Sequence, residues 1–242
     1  MSMTLSRACG PLAAAALAST SLAGVVVPGN GNGSITFPHP ATTYTIAPGF
    51  SPVRIIDGLP PGTRIDIDLS LGGFFNHVEN AGGSLGGHMQ QWQATSFMPM
   101  TGVGALAGYN RNMFMPMQGQ THTGPRVPFT SPQSFATDMF TLQGQVVGDP
   151  DFDLLRITVG TGFGMPSPGH TTLTHLGGDQ WHVDSFFDIV YRVDFIGAPG
   201  SALGGMSGST TGQTRIWLVP APAGAGLLLG AALAAGPRRR RA

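Results

Sequence analysis

Lysine is absent from the 242-residue chain, and the only cysteine is Cys9. Every fixed cation is therefore an arginine, and five of the twelve, Arg7 and Arg238 to Arg241, lie near the chain ends. Between residues 24 and 218, seven arginines face twelve acidic residues, an excess of five negative charges. An acidic, lysine-free surface lacks the basic patch that nucleic-acid binding requires, so no nucleic-acid partner is expected. A single early cysteine leaves the rest of the chain without a disulfide and without thiolate chemistry, so an apolar core must hold the fold. Charged residues make up only 10% of the chain, yet apolar residues reach 41%, too many for a disordered polymer. No stretch keeps a 3.6-residue apolar period for long, which removes the amphipathic helix as the building unit.

The two ends carry ordered signals. Arg7 is the only charge before the apolar run Pro11 to Ala18, and Ser21-Leu22-Ala23 places small residues at the −3 and −1 positions of a cleavage site. Residues 1–23 read as a secretory signal peptide cut between Ala23 and Gly24. At the other end stand Val219-Pro220-Ala221-Pro222, the fourteen-residue apolar run Ala223 to Gly236, Pro237, and Arg238, Arg239, Arg240 and Arg241. A permanent membrane helix needs about 20 apolar residues. The shorter run suits a transient anchor, with the arginines held on the cytoplasmic side. This order of parts resembles the PEP-CTERM sorting signal of exported bacterial proteins, with Ala221 where that family usually has Glu. The resemblance implies a C-terminal hydrophobic sorting helix and an exosortase-like membrane processing enzyme as partner. It also implies a destination in the cell envelope, at the cell surface or outside the cell. The organisation is then 1–23 signal peptide, 24–218 folded domain and 219–242 sorting tail.

Short apolar or alternating runs fill the middle of the chain, separated by turns such as Leu59-Pro60-Pro61-Gly62, Gly82-Gly83 and Ala198-Pro199-Gly200. Strands are expected at 43–46, 53–56, 64–71, 89–97, 113–118, 139–147, 154–160, 181–196 and 214–219. In the longest, Trp181, Val183, Phe187, Ile189, Tyr191, Val193 and Phe195 share one parity, and His182, Asp184, Asp188, Arg192 and Asp194 share the other. That is a core face and a wet face. Ile65, Ile67, Leu69 and Leu71 repeat the pattern against Asp66, Asp68 and Ser70. The fold expected is all-β, a two-sheet antiparallel β-sandwich, with a jelly roll as the nearest alternative. Phe97-Met98-Pro99-Met100 returns seventeen residues later as Phe114-Met115-Pro116-Met117, which suggests two strands joined around Gly108-Tyr109-Asn110. The prolines point to edge strands or bulges. Segments between Gly148 and Gly212, among them Gly148-Asp149-Pro150-Asp151-Phe152-Asp153 and Val183-Asp184-Ser185-Phe186-Phe187-Asp188, resemble a secreted bacterial module of unknown function.

Candidate sites are sparse. Asp149, Asp151 and Asp153 alternate, and converging carboxylates suit Ca²⁺, although the EF-hand frame fails at Leu154 and Gly160. His170, His175, His182 and Asp184 offer transition-metal ligands, of which only His182 and Asp184 share a face by parity. Met98, Met100, Met113, Met115 and Met117 offer soft thioethers for Cu(I), or flexible core filling. Gly82-Gly83-Ser84-Leu85-Gly86 fits G-x-S-x-G, but with no helical continuation and no partner assignable from spacing it reads as a turn. No catalytic residue is assigned, and no cofactor is expected, with Ca²⁺ at Asp149, Asp151 and Asp153 kept as the alternative. The expectation is a non-catalytic structural or adhesive protein. The alternative is a carbohydrate- or ligand-binding module that meets an extracellular polysaccharide, with Trp92 and Tyr109 as the aromatics to examine. Intact-mass and terminal-peptide analysis of the native protein should give an N-terminus at Gly24 and a C-terminus between Val219 and Pro222. Retention of Arg238 to Arg241 would remove the sorting reading.

Overall fold

The computed structural model describes residues 24–220. The signal peptide with Ala23, and the tail from Ala221 and Pro222 through Arg238 to Arg241, lie outside the described residues. Twelve strands follow in order: β1 (Val25–Pro28), β2 (Thr42–Ile46), β3 (Val53–Ile55), β4 (Arg64–Ile67), β5 (Ser70–Ala81), β6 (His88–Val103), β7 (Asn110–Thr123), β8 (Gln133–Val147), β9 (Phe152–Val159), β10 (Pro168–Gly177), β11 (Gln180–Gly197) and β12 (Ser207–Pro220). All pairings are antiparallel. The all-β expectation stands. The strands do not divide into two separate sheets, because all twelve belong to one hydrogen-bonded network.

That network returns on itself. β2 pairs with β5, β5 with β6, β6 with β7, β7 with β8, β8 with β9, β9 with β11, β11 with β12, and β12 again with β2. Such closure satisfies the backbone groups that an open sheet would leave at its edges. β9 and β10 lie end to end in one slot between β8 and β11: β9 meets residues 191–197 of β11 and β10 meets residues 169–177's partners, 180–187. β3 and β4 extend the sheet beyond the end of β5 along β6.

Alternation follows the pleat. On β11, Trp181, Val183, Phe187, Ile189, Tyr191, Val193 and Phe195 are all buried, as parity required. Two tyrosines tie layers together across the core. Tyr44 Oη lies 2.9 Å from Ser185 Oγ, and Tyr191 Oη accepts the Arg54 N–H at 3.1 Å. Gly212 sits opposite Tyr191 in the β11–β12 ladder, and a Cβ there would stand 2.4 Å from the tyrosine oxygen. Only glycine leaves room for that ring to reach β3.

The two Met-Pro-Met segments are cross-strand neighbours, with Phe97 opposite Phe114 and Met98 opposite Met113. Their prolines punctuate ladders on interior strands, a correction to the edge-strand expectation. Pro99 has no N–H to give. Opposite it, around Asp68 and Leu69, the expected 64–71 strand splits into β4 and β5, with the Asp68 N–H donating to the Pro99 carbonyl at 2.9 Å. The β7–β8 ladder stops at Met117, next to Pro116.

Outside, charges pair across strands. Arg54 faces Asp66, Arg156 faces Asp194, and Arg215 faces Asp188, each in direct register with N–O distances of 2.7 to 3.0 Å. Opposed charges of this kind contribute about 0.2–1 kcal/mol each. Tyr191→Asp would bury a carboxylate opposite Gly212 and break the contact to Arg54, so it should abolish soluble, cooperatively folding protein. A normal melting transition in that variant would overturn the register.

Candidate functional site

The outer face of β6, β7 and β8 carries a row of neutral amides. Gln93 stands opposite Gln118, and Gln118 opposite Gln143, so three glutamines cross three adjacent strands in register. A second row runs from Gln91 through Gln120 to Thr141. The first row is the ridge between two adjoining clefts of about 440 and 450 Å³, both of which it lines. Local sequence explains the placement. Along each strand the glutamines alternate with buried residues, Trp92 and Ala94 on β6, Met117 on β7 and Leu142 on β8.

Aromatic and apolar groups flank the amides. The β5–β6 register shifts on both sides of Phe75, and these bulges turn Phe75, Asn76 and Val78 outward in near succession. Asn76 adopts the left-handed conformation that Asn tolerates, with φ of 52°, and donates its amide to Gln93 Oε1 at 2.8 Å. Phe75 flanks one cleft and Phe163, from the 160–167 connection, flanks the other, both close to half-exposed. The face thus offers paired donors and acceptors without fixed charge, bordered by apolar rings.

Trp92 and Tyr109, the aromatics to examine for a binding shelf, do other work. Trp92 is buried and donates its indole N–H to Thr121 Oγ1 at 3.0 Å. Tyr109 donates to Asp151 Oδ2 at 3.3 Å, and burial followed by the Asp151 charge raises its phenol well above the ordinary value. The exposed rings are phenylalanines, whose signal in the sequence was weak because parity fails at a bulge.

Of the candidate calcium ligands, Asp149 and Asp151 converge and Asp153 is exposed. The two that converge meet the Arg111 guanidinium: one of its nitrogens bonds Asp151 Oδ2 and the other Asp149 Oδ2. Burial opposes the charge of Arg111, but the two carboxylates outweigh it and hold its proton more firmly than usual. Asp149 Oδ1 also accepts the Asp151 N–H at 3.0 Å, which shapes the turn. This clasp spans from β7 to the β8–β9 turn where the β7–β8 ladder has ended. An ion here would have to exchange with Arg111. Among the described residues, no three His, Cys, Asp or Glu side chains gather as a metal cluster. His170 bonds Ser134 and His175 bonds the Gly178 carbonyl, each in its own place. Met98, Met100, Met113, Met115 and Met117 are all buried in the core. Val219 and Pro220 belong to β12, two residues beyond the expected domain end at Leu218, and pair with Thr43 and Thr42. Ser84 lies at one end of the glutamine face, over His122.

Comparison of the chain with protein-family models, with curated proteins and with solved structures returns no match. The Arg111 clasp makes a direct forecast. Chelation by EDTA should leave the melting temperature of the wild-type protein unchanged. Arg111→Ala should lose about 1 kcal/mol or more and gain a Ca²⁺-dependent rise in melting temperature. A wild-type protein destabilised by EDTA would show that calcium displaces the arginine.

Proposed function

We propose that this protein is an exported component of the bacterial envelope or extracellular matrix that adheres to neutral polysaccharide through its glutamine face. The observation that carries the reading is the in-register row Gln93–Gln118–Gln143 flanked by exposed Phe75 and Phe163. Hydroxyl-rich chains present alternating donors and acceptors with apolar ring faces between them. Side-chain amides match the first and phenylalanine rings match the second. The two clefts side by side suit an extended chain better than a single small molecule. Each of the seven arginines among the described residues is already bonded to a carboxylate, which directs the reading toward an uncharged partner.

Export and delivery rest on the signal-peptide pattern of residues 1–23 and the PEP-CTERM-like order of parts in residues 219–242, with an exosortase-like enzyme and transient anchoring by the tail as the route. An adhesive role in the matrix combines these with the amide face. The same reading accommodates a two-layered, sandwich-like binding module, since one curled sheet supplies opposing walls around the core.

Affinity electrophoresis through gels that contain neutral polysaccharide tests the proposal. The wild-type domain should be retarded. Gln93→Ala combined with Gln118→Ala, and separately Phe75→Ala, should each lower retention at least about tenfold with unchanged melting temperature, since these side chains are on the wet face. Equal mobility in gels with and without a panel of neutral polysaccharides would overturn the reading.

A further inference from the structure

The connection between β5 and β6 carries Gly82-Gly83-Ser84-Leu85-Gly86, whose serine has no partner legible in the sequence. The fold supplies one from β7. Ser84 Oγ lies 2.8 Å from Nδ1 of His122, and the Ser84 N–H donates to the same nitrogen at 3.0 Å. A ring nitrogen that accepts an N–H carries no proton, so Nδ1 faces the serine as a base. The other nitrogen, Nε2, lies 2.8 Å from the Gln120 amide nitrogen; with Nδ1 unprotonated, Nε2 carries the ring proton, so the amide must be turned about its last bond to present its oxygen as acceptor. The Ser84 N–H thus sets the tautomer, with the ring proton on Nε2.

The surroundings hold the ring in place. The β7–β8 register shifts between Gln120 and Thr121, and this bulge makes Phe140 an extra residue on β8. Phe140 stacks on the imidazole with centroids 4.1 Å apart and planes inclined by 17°. Gly83 lies over the other part of the ring, where a Cβ would stand 3.1 Å from it. His122 is only 4% exposed, whereas Ser84 is exposed. Asp138 stands opposite His122 in the ladder and accepts the Thr161 hydroxyl at 2.7 Å. Burial lowers the imidazole below its ordinary value, with the Asp138 charge pulling the other way. The Leu85 N–H has no acceptor among the described residues. An N–H directly after a nucleophilic serine is a donor for a developing oxyanion.

We propose that Ser84 and His122 form a nucleophile–base pair that cleaves acyl esters carried by the hydroxyl-rich chain that the glutamine face holds. The carrier rests on the polysaccharide reading above; the nucleophile does not. Gln120 joins the two sites, since it lines the cleft and orients His122. Ser84 Oγ attacks the ester carbonyl carbon as Nδ1 takes the hydroxyl proton. The ester C–O bond breaks, and the proton passes from Nδ1 to the departing alkoxide, leaving an acyl-Ser84. Water then attacks the acyl carbon and gives a proton to Nδ1. The Ser84 C–O bond breaks, Oγ regains that proton, and the carboxylic acid leaves. The sum is ester plus water to acid plus alcohol.

The test uses the intact domain with a fluorophosphonate probe and p-nitrophenyl acetate. The probe should add its mass to the peptide that contains Ser84. Ester turnover should fall at least about 100-fold in Ser84→Ala, an exposed change that leaves the fold intact, and in His122→Gln. The wild-type rate should rise with pH to a plateau, with a midpoint below about 6.5. The titratable group that faces the imidazole is Asp138, directly opposite it on β8. A folded wild-type protein that takes no probe at Ser84, or a Ser84→Ala protein with wild-type turnover, would overturn the proposal. Turnover of the free ester by a protein that polysaccharide gels do not retain would support the nucleophile and remove the polysaccharide as its carrier.

Discussion

Closure of the antiparallel ladder is the constraint on which the rest of the molecule depends. Eight strands pair in a circuit that returns to its start, so most backbone donors and acceptors are satisfied and one continuous core is enclosed. Without disulfides, that core is the main source of cohesion. Each fully buried Phe, Ile, Leu or Met contributes about 1.5–3 kcal/mol, and β11 alone gives the core Trp181, Val183, Phe187, Ile189, Tyr191, Val193 and Phe195. The ring leaves little freedom. A strand that slipped by one residue would turn its core set outward and detune both neighbours.

Irregularities in this ring are where chemistry collects. Bulges around Phe75 push apolar groups to the outer face, and the bulge at Phe140 lays a ring on His122. Pro116 ends a ladder, and the gap beyond it is crossed by the Arg111 clasp on Asp149 and Asp151. The regular parts of β6, β7 and β8 carry the opposite kind of feature, a flat and repetitive amide row. One surface therefore presents a broad uncharged face next to a single well-held histidine.

Alternation made much of this legible in advance. The core face of β11 and the inward set Ile65, Ile67, Leu69 and Leu71 are found where parity put them, because each is a half-buried strand with one wet side. The Met-Pro-Met echo marked two adjacent strands. β10 escaped notice, since Thr171 and Leu173 alone are buried and the one other large apolar residue, Leu176, is exposed. It is a strand because β8 and β11 pair with it on both sides, which no local pattern records. Trp92 and Tyr109 were the aromatics to examine for a binding shelf, and neither forms one. Thr121 and Asp151 satisfy their polar atoms further inside.

By itself the sequence determined the class of fold, the faces of its longest strands, the lack of covalent staples and the order of apolar and charged runs at both ends. These are local properties, set by residue type and a period of two. Tertiary structure alone decided which rows lie side by side. Gln93, Gln118 and Gln143 become one row only when three strands take their register, and Ser84 meets His122 across 38 positions only when the β5–β6 connection folds over β7. Register between distant strands is a sum over many ladder bonds and buried contacts. No short stretch of sequence carries that sum, so the sites it creates come into being with the closed sheet.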